Sequence, residues 1–243
     1  MIPTLRDLES DYTDCKDCLL CTSRQTVVFP HGNPSADIMF IGEAPGEEED
    51  QTGVPFVGPA GFEFNKMLKN IRLTREEVFT TNAVMCRPVD DDQKNRKPGK
   101  KEIEACRERL YNEILNVDPD LIVLMGDSAV KAVFPDNRKT LESLAGSFKK
   151  VYVPCPAGLT HVAQYECYIM YHPSYMMRVD AGWAESGVFR QATDDLRTAV
   201  AFVDFLNLLR EDPDYALSTA CPELPNRGED ISLRTELREN YET

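Results

Sequence analysis

The sequence has no apolar run near the ~20 residues needed to cross a bilayer, and its start, Met1-Ile-Pro-Thr-Leu-Arg6, lacks the basic opening and apolar stretch of a secretory signal. These absences argue against a helical membrane protein and predict a cytoplasmic location. No internal repeat and no low-complexity segment is found, which argues against solenoid and array architectures. Basic charge is scarce: 27 Lys and Arg against 41 Asp and Glu, a net of -14. Indiscriminate nucleic-acid binding needs the opposite balance, because phosphates are held by Lys and Arg. The charge is uneven, however. Glu211 to Thr243 carries nine acidic and three basic residues, whereas Lys94 to Arg109 carries seven basic and three acidic. A local basic patch can meet DNA on an acidic protein, although the overall field slows the encounter.

A chain of 243 residues suits one large α/β domain with a real core. Its eight cysteines are at 15, 18, 21, 86, 106, 155, 167 and 221. In a cytoplasmic chain they do not read as a disulfide framework, and a clustered subset reads as metal ligands.

A short helix is predicted over 4–12. Asp37–Gly42, Val78–Val84, Leu121–Met125 and Cys167–Tyr171 read as strands, apolar runs closed by Gly or polar punctuation. Helices are predicted over about 60–70 (apolar positions Phe62, Phe64, Met67, Leu68 and Ile71), 101–116, 127–133 and 189–209. A β-ribbon is expected around Val151–Val153, and loops over 42–50 and 89–100. Strands alternating with helices imply a single-domain, three-layer α/β/α fold with a mostly parallel central sheet. The domain is predicted to span 1–210, followed by an acidic tail over 211–243 that is loosely docked or without fixed structure. Ligands sit at the carboxyl ends of strands in such sheets, so the polar loops 42–50, 82–88 and 172–178 should converge.

Cys15-x-x-Cys18 can reach one metal centre, and Cys86 and Cys106 can close a four-thiolate site. On spacing alone this fits zinc and a four-iron cluster equally, and Cys86 and Cys106 also fit buried free thiols. Cys21 extends the pair and competes for a ligand position; Cys155, Cys167 and Cys221 read as structural. Gly42-Glu-Ala-Pro-Gly46, followed by Glu47-Glu-Glu-Asp50, is either a plain turn or a backbone surface that approaches a substrate beside carboxylates. Phe56, on the Pro55–Gly58 loop, is either core or a ring for stacking on a planar base. Asn82 is either a strand-end turn residue or a reader of a base edge. Its amide can accept from uracil N3–H and donate to O4, a pattern that cytosine reverses. His172-Pro-Ser-Tyr175 closes another strand in a chain with three histidines. His172 is either structural or a donor to uracil O2 that stabilises the departing base, and its loop can enter a duplex from which a nucleotide has flipped.

Taken in order, C-x-x-C at 15–18, GEAPGEEED at 42–50, G-x-PFVG-x-AG at 53–61, TN-x-x-x-CRP at 81–88, NR-x-P followed by Cys106, and HPSYMMR at 172–178 resemble the family 4, iron–sulfur uracil-DNA glycosylases over about residues 1–205. The resemblance implies a uracil-DNA glycosylase-like fold and a [4Fe–4S] cluster on Cys15, Cys18, Cys86 and Cys106. It implies Asn82 as the uracil reader, Phe56 as the stacking ring and His172 as the group near O2. Glu43, Asn82 and His172 are the expected catalytic residues. Ala44, Gly46, Glu49, Asp50, Phe56, Ser174 and Arg178 are expected at the substrate alongside Asn82 and His172. Glu43 stands where this family lacks the water-activating Asp of other uracil glycosylases, so its role stays open, as do those of Glu49 and Asp50.

Two departures, the inserted Asp90-Asp91-Asp92 and the acidic tail, mark a divergent homologue, viral or reliant on a partner protein. The implied reaction is monofunctional hydrolysis of the N-glycosidic bond of deoxyuridine in DNA by a monomer, since no Lys is placed for a Schiff base. The tail is a candidate contact for a replication or repair protein. Competing readings are another modified pyrimidine as substrate, a DNA-binding or replication accessory module with weak activity, and a zinc protein.

Overall fold

The computed structural model describes residues 2–155, 162–175 and 187–211. The chain divides into two units, 1–203 and 204–243; the account below concerns the first. Helix α1 (Leu5–Tyr12) begins in a capping box, with the Thr4 hydroxyl accepting from Asp7 N–H and the Asp7 carboxylate accepting from Thr4 N–H. The sheet contains β1 (His31–Gly32), β2 (Ile38–Gly42), β3 (Phe79–Asn82), β4 (Leu121–Met125), β5 (Ser147–Pro154) and β6 (Val162–Met170). Its spatial order is β1-β3-β2-β4-β6-β5. The four inner strands run parallel, and β1 and β5 pair antiparallel at the two edges.

Alternate residues of the inner strands feed two separate cores, which the period-2 pleat requires. Met39, Ile41, Ile122, Leu124, Cys167 and Ile169 face one core. Helices α4 (Lys100–Val117) and α5 (Asp127–Val133) cover that side with Ile103, Leu110, Ile114, Val130 and Val133. Ile38, Phe40, Leu121, Val123, Tyr168 and Met170 face the other core. There α3 (Pro59–Asn70) contributes Phe64, Met67 and Leu68, and the last helix, α7 (Gly187–Glu211), contributes Leu196, Ala199 and Val203. The two-sided burial makes the expected three-layer α/β/α arrangement. Short helices α2 (Glu47–Thr52) and α6 (Leu141–Leu144) and the 3-10 turn Leu19–Thr22 are further described elements. Among the described residues no helix is long and apolar enough to cross a membrane.

Three local readings need correction. Loop 42–50 is half helix, because α2 starts at Glu47. Its acidic first turn suits a helix N-terminus, but it has no apolar stripe to reveal it. The strand expected from Cys167 begins at Val162, because it forms a long hairpin with β5. Phe62 is 61 % exposed, with Lys66 lying over its ring at 4.5 Å, and does not join the buried face of α3. The tail beyond residue 211 and Arg178 lie outside the described residues.

The direction of chain crossing fixes where a site can form. The β2–β3 connection carries α3 to one face, and the β3–β4 connection carries α4 to the other. The chain after β4 continues in α5, on the α4 side. The connections that leave the paired carboxyl ends of β2 and β4 therefore depart on opposite faces, which opens the crevice in which doubly wound sheets place ligands.

Candidate active site

Gly42 ends β2 in register with Asn82 at the end of β3, and Gly42 C=O accepts from Ala83 N–H at 2.9 Å. A Cβ added to Gly42 would collide with Asn82 Oδ1 and lie 2.5 Å from Phe56 Cζ. The amide oxygen and the ring edge thus meet over a single glycine. The His172 ring faces Phe56, with centroids 6.5 Å apart and planes 28° apart. Gly126 closes β4 at φ +93°, where a Cβ would lie 3.1 Å from His172 Cβ. Residues from four strand ends therefore lie close together: Gly42, Asn82 and His172 from the three loops expected to converge, and Gly126 at the end of β4, which was not among them. Gly42→Ala should cut the site's activity roughly 10- to 100-fold, as overpacking costs of about 1–3 kcal/mol imply. The thermal transition should persist; full activity in the variant would show that Asn82 and Phe56 do not need this close approach.

His172 has a defined tautomer. Ser174 N–H donates to Nδ1 at 3.2 Å, and Ser174 Oγ lies 2.9 Å from the same nitrogen. Nδ1 is therefore an acceptor, which puts the proton of the neutral ring on Nε2. Ser174, expected at the substrate, meets the imidazole through both its N–H and its hydroxyl and so orients the ring. Glu43 Oε2 accepts from Ser128 Oγ at 2.8 Å, which ties the end of β2 to the first turn of α5. Ala44 is half-buried against the α4-side core.

Glu49 and Asp50, also expected at the substrate, direct their carboxylates onto backbone amides. Glu49 Oε1 accepts from Val57 N–H at 2.9 Å and Gly58 N–H at 2.8 Å, while Oε2 accepts from Gly46 N–H at 3.0 Å. One buried carboxylate thus caps α2 and joins the Gly42–Gly46 loop to the Phe56 loop. Asp50 accepts from Gln25 N–H at 2.9 and 3.1 Å. Phe56 adopts φ +56°, a left-handed conformation costing about 1–3 kcal/mol in a non-glycine residue. A Cβ on Gly61 would collide with the Phe56 backbone carbonyl, so glycine is required there. Arg75 Nη2 donates to Pro55 C=O at 2.9 Å and to Phe56 C=O at 2.7 Å.

A second group missed by sequence reasoning lies beneath Asn82. Arg109 is fully buried in α4 and pairs with Glu113 at 2.7 Å. Its Nη1 also donates to Thr81 Oγ1 at 3.0 Å, and Nη2 donates to Asn82 C=O at 2.8 Å. Burial pushes the Glu113 carboxyl up, opposed by the Arg109 guanidinium and the Thr81 hydroxyl. Arg109 was counted in the basic stretch 94–109, and the structure removes it from the surface. Three others in that stretch also meet carboxylates: Lys94 with Asp92, Arg96 with Glu102 and Lys100 with Glu104. The expected patch is thus weaker than its sequence count. A cavity of about 250 Å³ lies elsewhere, lined by Leu5, Phe29, Pro30, Phe79 and Met85 among others; none of Gly42, Phe56, Asn82 and His172 borders it.

Cys15, Cys18, Cys86 and Cys106 lie near enough to influence one another electrostatically: Cys106 acts on the other three, and Cys18 interacts with Cys15 and Cys86. Burial raises the Cys86 thiol to about 12; Arg24 opposes the rise, and Cys106 and Cys18 add to it. Burial likewise raises Cys18, with further contributions from Cys106 and Cys15, and raises Cys15, with a contribution from Cys106. Arg24 joins both halves, donating from Nη1 to Cys86 Sγ at 3.4 Å and from Nη2 to Cys15 C=O at 2.7 Å. Among the described residues no three His, Cys, Asp or Glu side chains are placed to hold a single metal ion. The gathered thiols and their guanidinium donor nevertheless match the soft ligands and sulfur hydrogen bonding of a thiolate-held cluster. Cys21 lies on the turn Leu19–Thr22, and none of these thiol interactions involves it.

A planar ring, a buried amide and an oriented imidazole near one crevice can hold a planar heterocycle and read its polar edge. The model of the uracil DNA glycosylase superfamily matches residues 29–197. The chain is 40% identical over 151 residues to the type-4 uracil-DNA glycosylase of Sulfurisphaera tokodaii, covering 62% of this chain and 67% of that protein. It is 34% identical to the type-4 enzyme of Thermotoga maritima, covering 68% and 78%, and 34% identical to that of Pyrobaculum aerophilum, covering 73% and 86%. In two further type-4 relatives the match covers 64% and 62% of the relative's length. The chain belongs to the uracil DNA glycosylase superfamily, and within it to the type-4 branch.

Proposed function

We propose that this protein hydrolyses the N-glycosidic bond of deoxyuridine in DNA, releasing uracil and leaving an abasic site. The observation that carries the reading is the meeting of Asn82 Oδ1 and the Phe56 ring over Gly42, with His172 facing the ring. Uracil stacked on Phe56 would present N3–H and O4 to the Asn82 amide and O2 to His172 Nε2–H. Cytosine offers an acceptor at N3 and a donor at C4, so it would leave the buried amide unpaired.

As the C1′–N1 bond breaks, its electron pair goes to uracil, and the sugar acquires oxocarbenium character. Negative charge spreads onto O2, where the His172 N–H stabilises it. Water adds to C1′ and loses a proton, and the uracil anion takes one up. The reaction is monofunctional hydrolysis without a covalent enzyme intermediate. Arg109, Glu113 and Thr81 serve by fixing the backbone at Asn82; Glu43, through Ser128, fixes the end of β2.

A [4Fe–4S] cluster held by Cys15, Cys18, Cys86 and Cys106 belongs to the same reading, supported by the four gathered thiols and Arg24. When bound, it supplies a structural crosslink between the N-terminal segment, the turn after β3 and helix α4. The protein is proposed to act as a monomer in the cytoplasm, where cysteines serve as ligands rather than disulfides. The acidic stretch 211–243 suits contact with a replication or repair protein that presents a basic surface.

A single-stranded oligonucleotide containing one uracil, treated with the protein and then with alkali, tests the activity. Cleavage at uracil alone, with thymine and cytosine controls intact, is expected. No cleavage by cluster-loaded protein would overturn uracil excision.

A further inference from the structure

The Phe56 loop is gripped from both sides. Glu49 Oε1 takes the N–H groups of Val57 and Gly58, immediately after Phe56. Arg75 Nη2 takes the carbonyls of Pro55 and Phe56 from the other side. The Arg75 guanidinium also lies over the Phe56 ring, 5.6 Å from its centroid, and over Phe64 at 5.1 Å. Between these grips Phe56 keeps a left-handed backbone that a free chain would abandon. Arg75 Nη1 is buried with no hydrogen-bond partner among the described residues, so hydrogen bonding alone does not account for this placement of the guanidinium. Only a planar cation bonds carbonyls in its plane and offers its face to rings. Arg75 comes from the segment before β3, outside every motif that marked the site.

We propose that Arg75 is a positioning residue for the proposed uracil site: with Glu49 as the opposing anchor, it holds Phe56 in the left-handed conformation that presents its ring over Gly42. This rests on the reading of Phe56 as the surface on which uracil stacks. Arg75 acts through Phe56 and touches no substrate atom.

The test is a double-mutant cycle with an independent spectroscopic readout. Single-turnover uracil excision is measured for wild type, Arg75→Leu, Phe56→Ala and the double variant. Arg75→Leu is expected to slow excision about tenfold in the wild-type background and to change nothing when Phe56 is already Ala, the signature of coupled residues. Arg75→Lys, which keeps a cationic donor, should recover part of the loss. An equal loss from Arg75→Leu in both backgrounds would overturn the proposal, because a general stability effect does not depend on Phe56. If Arg75→Leu does not fold, Arg75→Lys enters the same cycle with the same criterion. In protein labelled with 4-fluorophenylalanine, the Phe56 resonance is assigned by its disappearance in Phe56→Leu. It should shift in Arg75→Lys while the Phe148 resonance stays in place; an unmoved Phe56 signal would overturn the proposal. The fluorine measurement needs no activity. A wild-type protein that excises no uracil would therefore defeat the functional reading, while the shift would still decide the role of Arg75.

Discussion

Cys106→Ser is expected to lose its iron and most of its soluble, folded protein. Cys106 is buried in α4, one turn before Arg109, and its thiol interacts with Cys15, Cys18 and Cys86. In the proposed holo form those four sulfurs join the segment after α1, the turn after β3 and the α4 helix that clamps Asn82. Structural metal sites in small domains contribute on the order of 10 kcal/mol to folding, whereas an entire domain is stable by only about 5–15 kcal/mol. Loss of the crosslink therefore competes with the whole stability margin, although the two-sided core should limit the damage to the α1–α4 side first. The measurement is iron and sulfide per chain, visible absorbance and the thermal transition, with wild type purified in parallel. Cys21→Ser is the control and should keep the cluster. A Cys106→Ser protein with full iron content would remove Cys106 from the ligand set and bring Cys21 forward as its replacement.

The sequence revealed those parts of the molecule whose physics is local. Leu121–Met125 is five apolar residues between Asp120 and Gly126, and it is the central strand β4 with both ends as read. The strand-closing glycines and the polar residues after them marked the crevice, because carboxyl strand ends in a parallel sheet must face one side. What escaped depends on partners distant in the chain. Arg109 and Glu113, spaced i to i+4, look like a surface helix pair, and only the position of Thr81 and the end of β3 shows that they are buried. Glu49 and Asp50 looked like carboxylates facing a substrate because backbone N–H groups at Gln25, Val57 and Gly58 leave no mark in sequence. β1 is two residues long, too short for any period to register. Phe62 is one of the apolar positions of its helix in the sequence, yet it lies off the buried Phe64–Met67–Leu68 stripe, which spacing alone does not separate from it.

His172→Ala should slow single-turnover excision by about 10²–10³-fold, the usual cost of removing one preorganised donor from a developing negative charge. The donor is preorganised here because Ser174 occupies Nδ1 from its backbone N–H and the Phe56 ring faces the imidazole. Little reorganisation is then needed as charge builds on uracil O2. The interaction strengthens only as the glycosidic bond breaks, so the loss should fall on the chemical step. Affinity for an oligonucleotide carrying uncleavable 2′-fluoro-deoxyuridine should change little. Iron content should be unaffected, since His172 follows β6, away in the chain order from the segments that carry Cys15, Cys18, Cys86 and Cys106. Ser174→Ala removes the hydroxyl but keeps the backbone N–H on Nδ1, so it should cost less than tenfold, a single modest hydrogen bond of about 1 kcal/mol. A rate near wild type for His172→Ala would remove the imidazole from the chemistry. Equal loss of rate and analogue affinity would make it a binding group, and the stabilisation of the leaving base would then rest on the Asn82 amide.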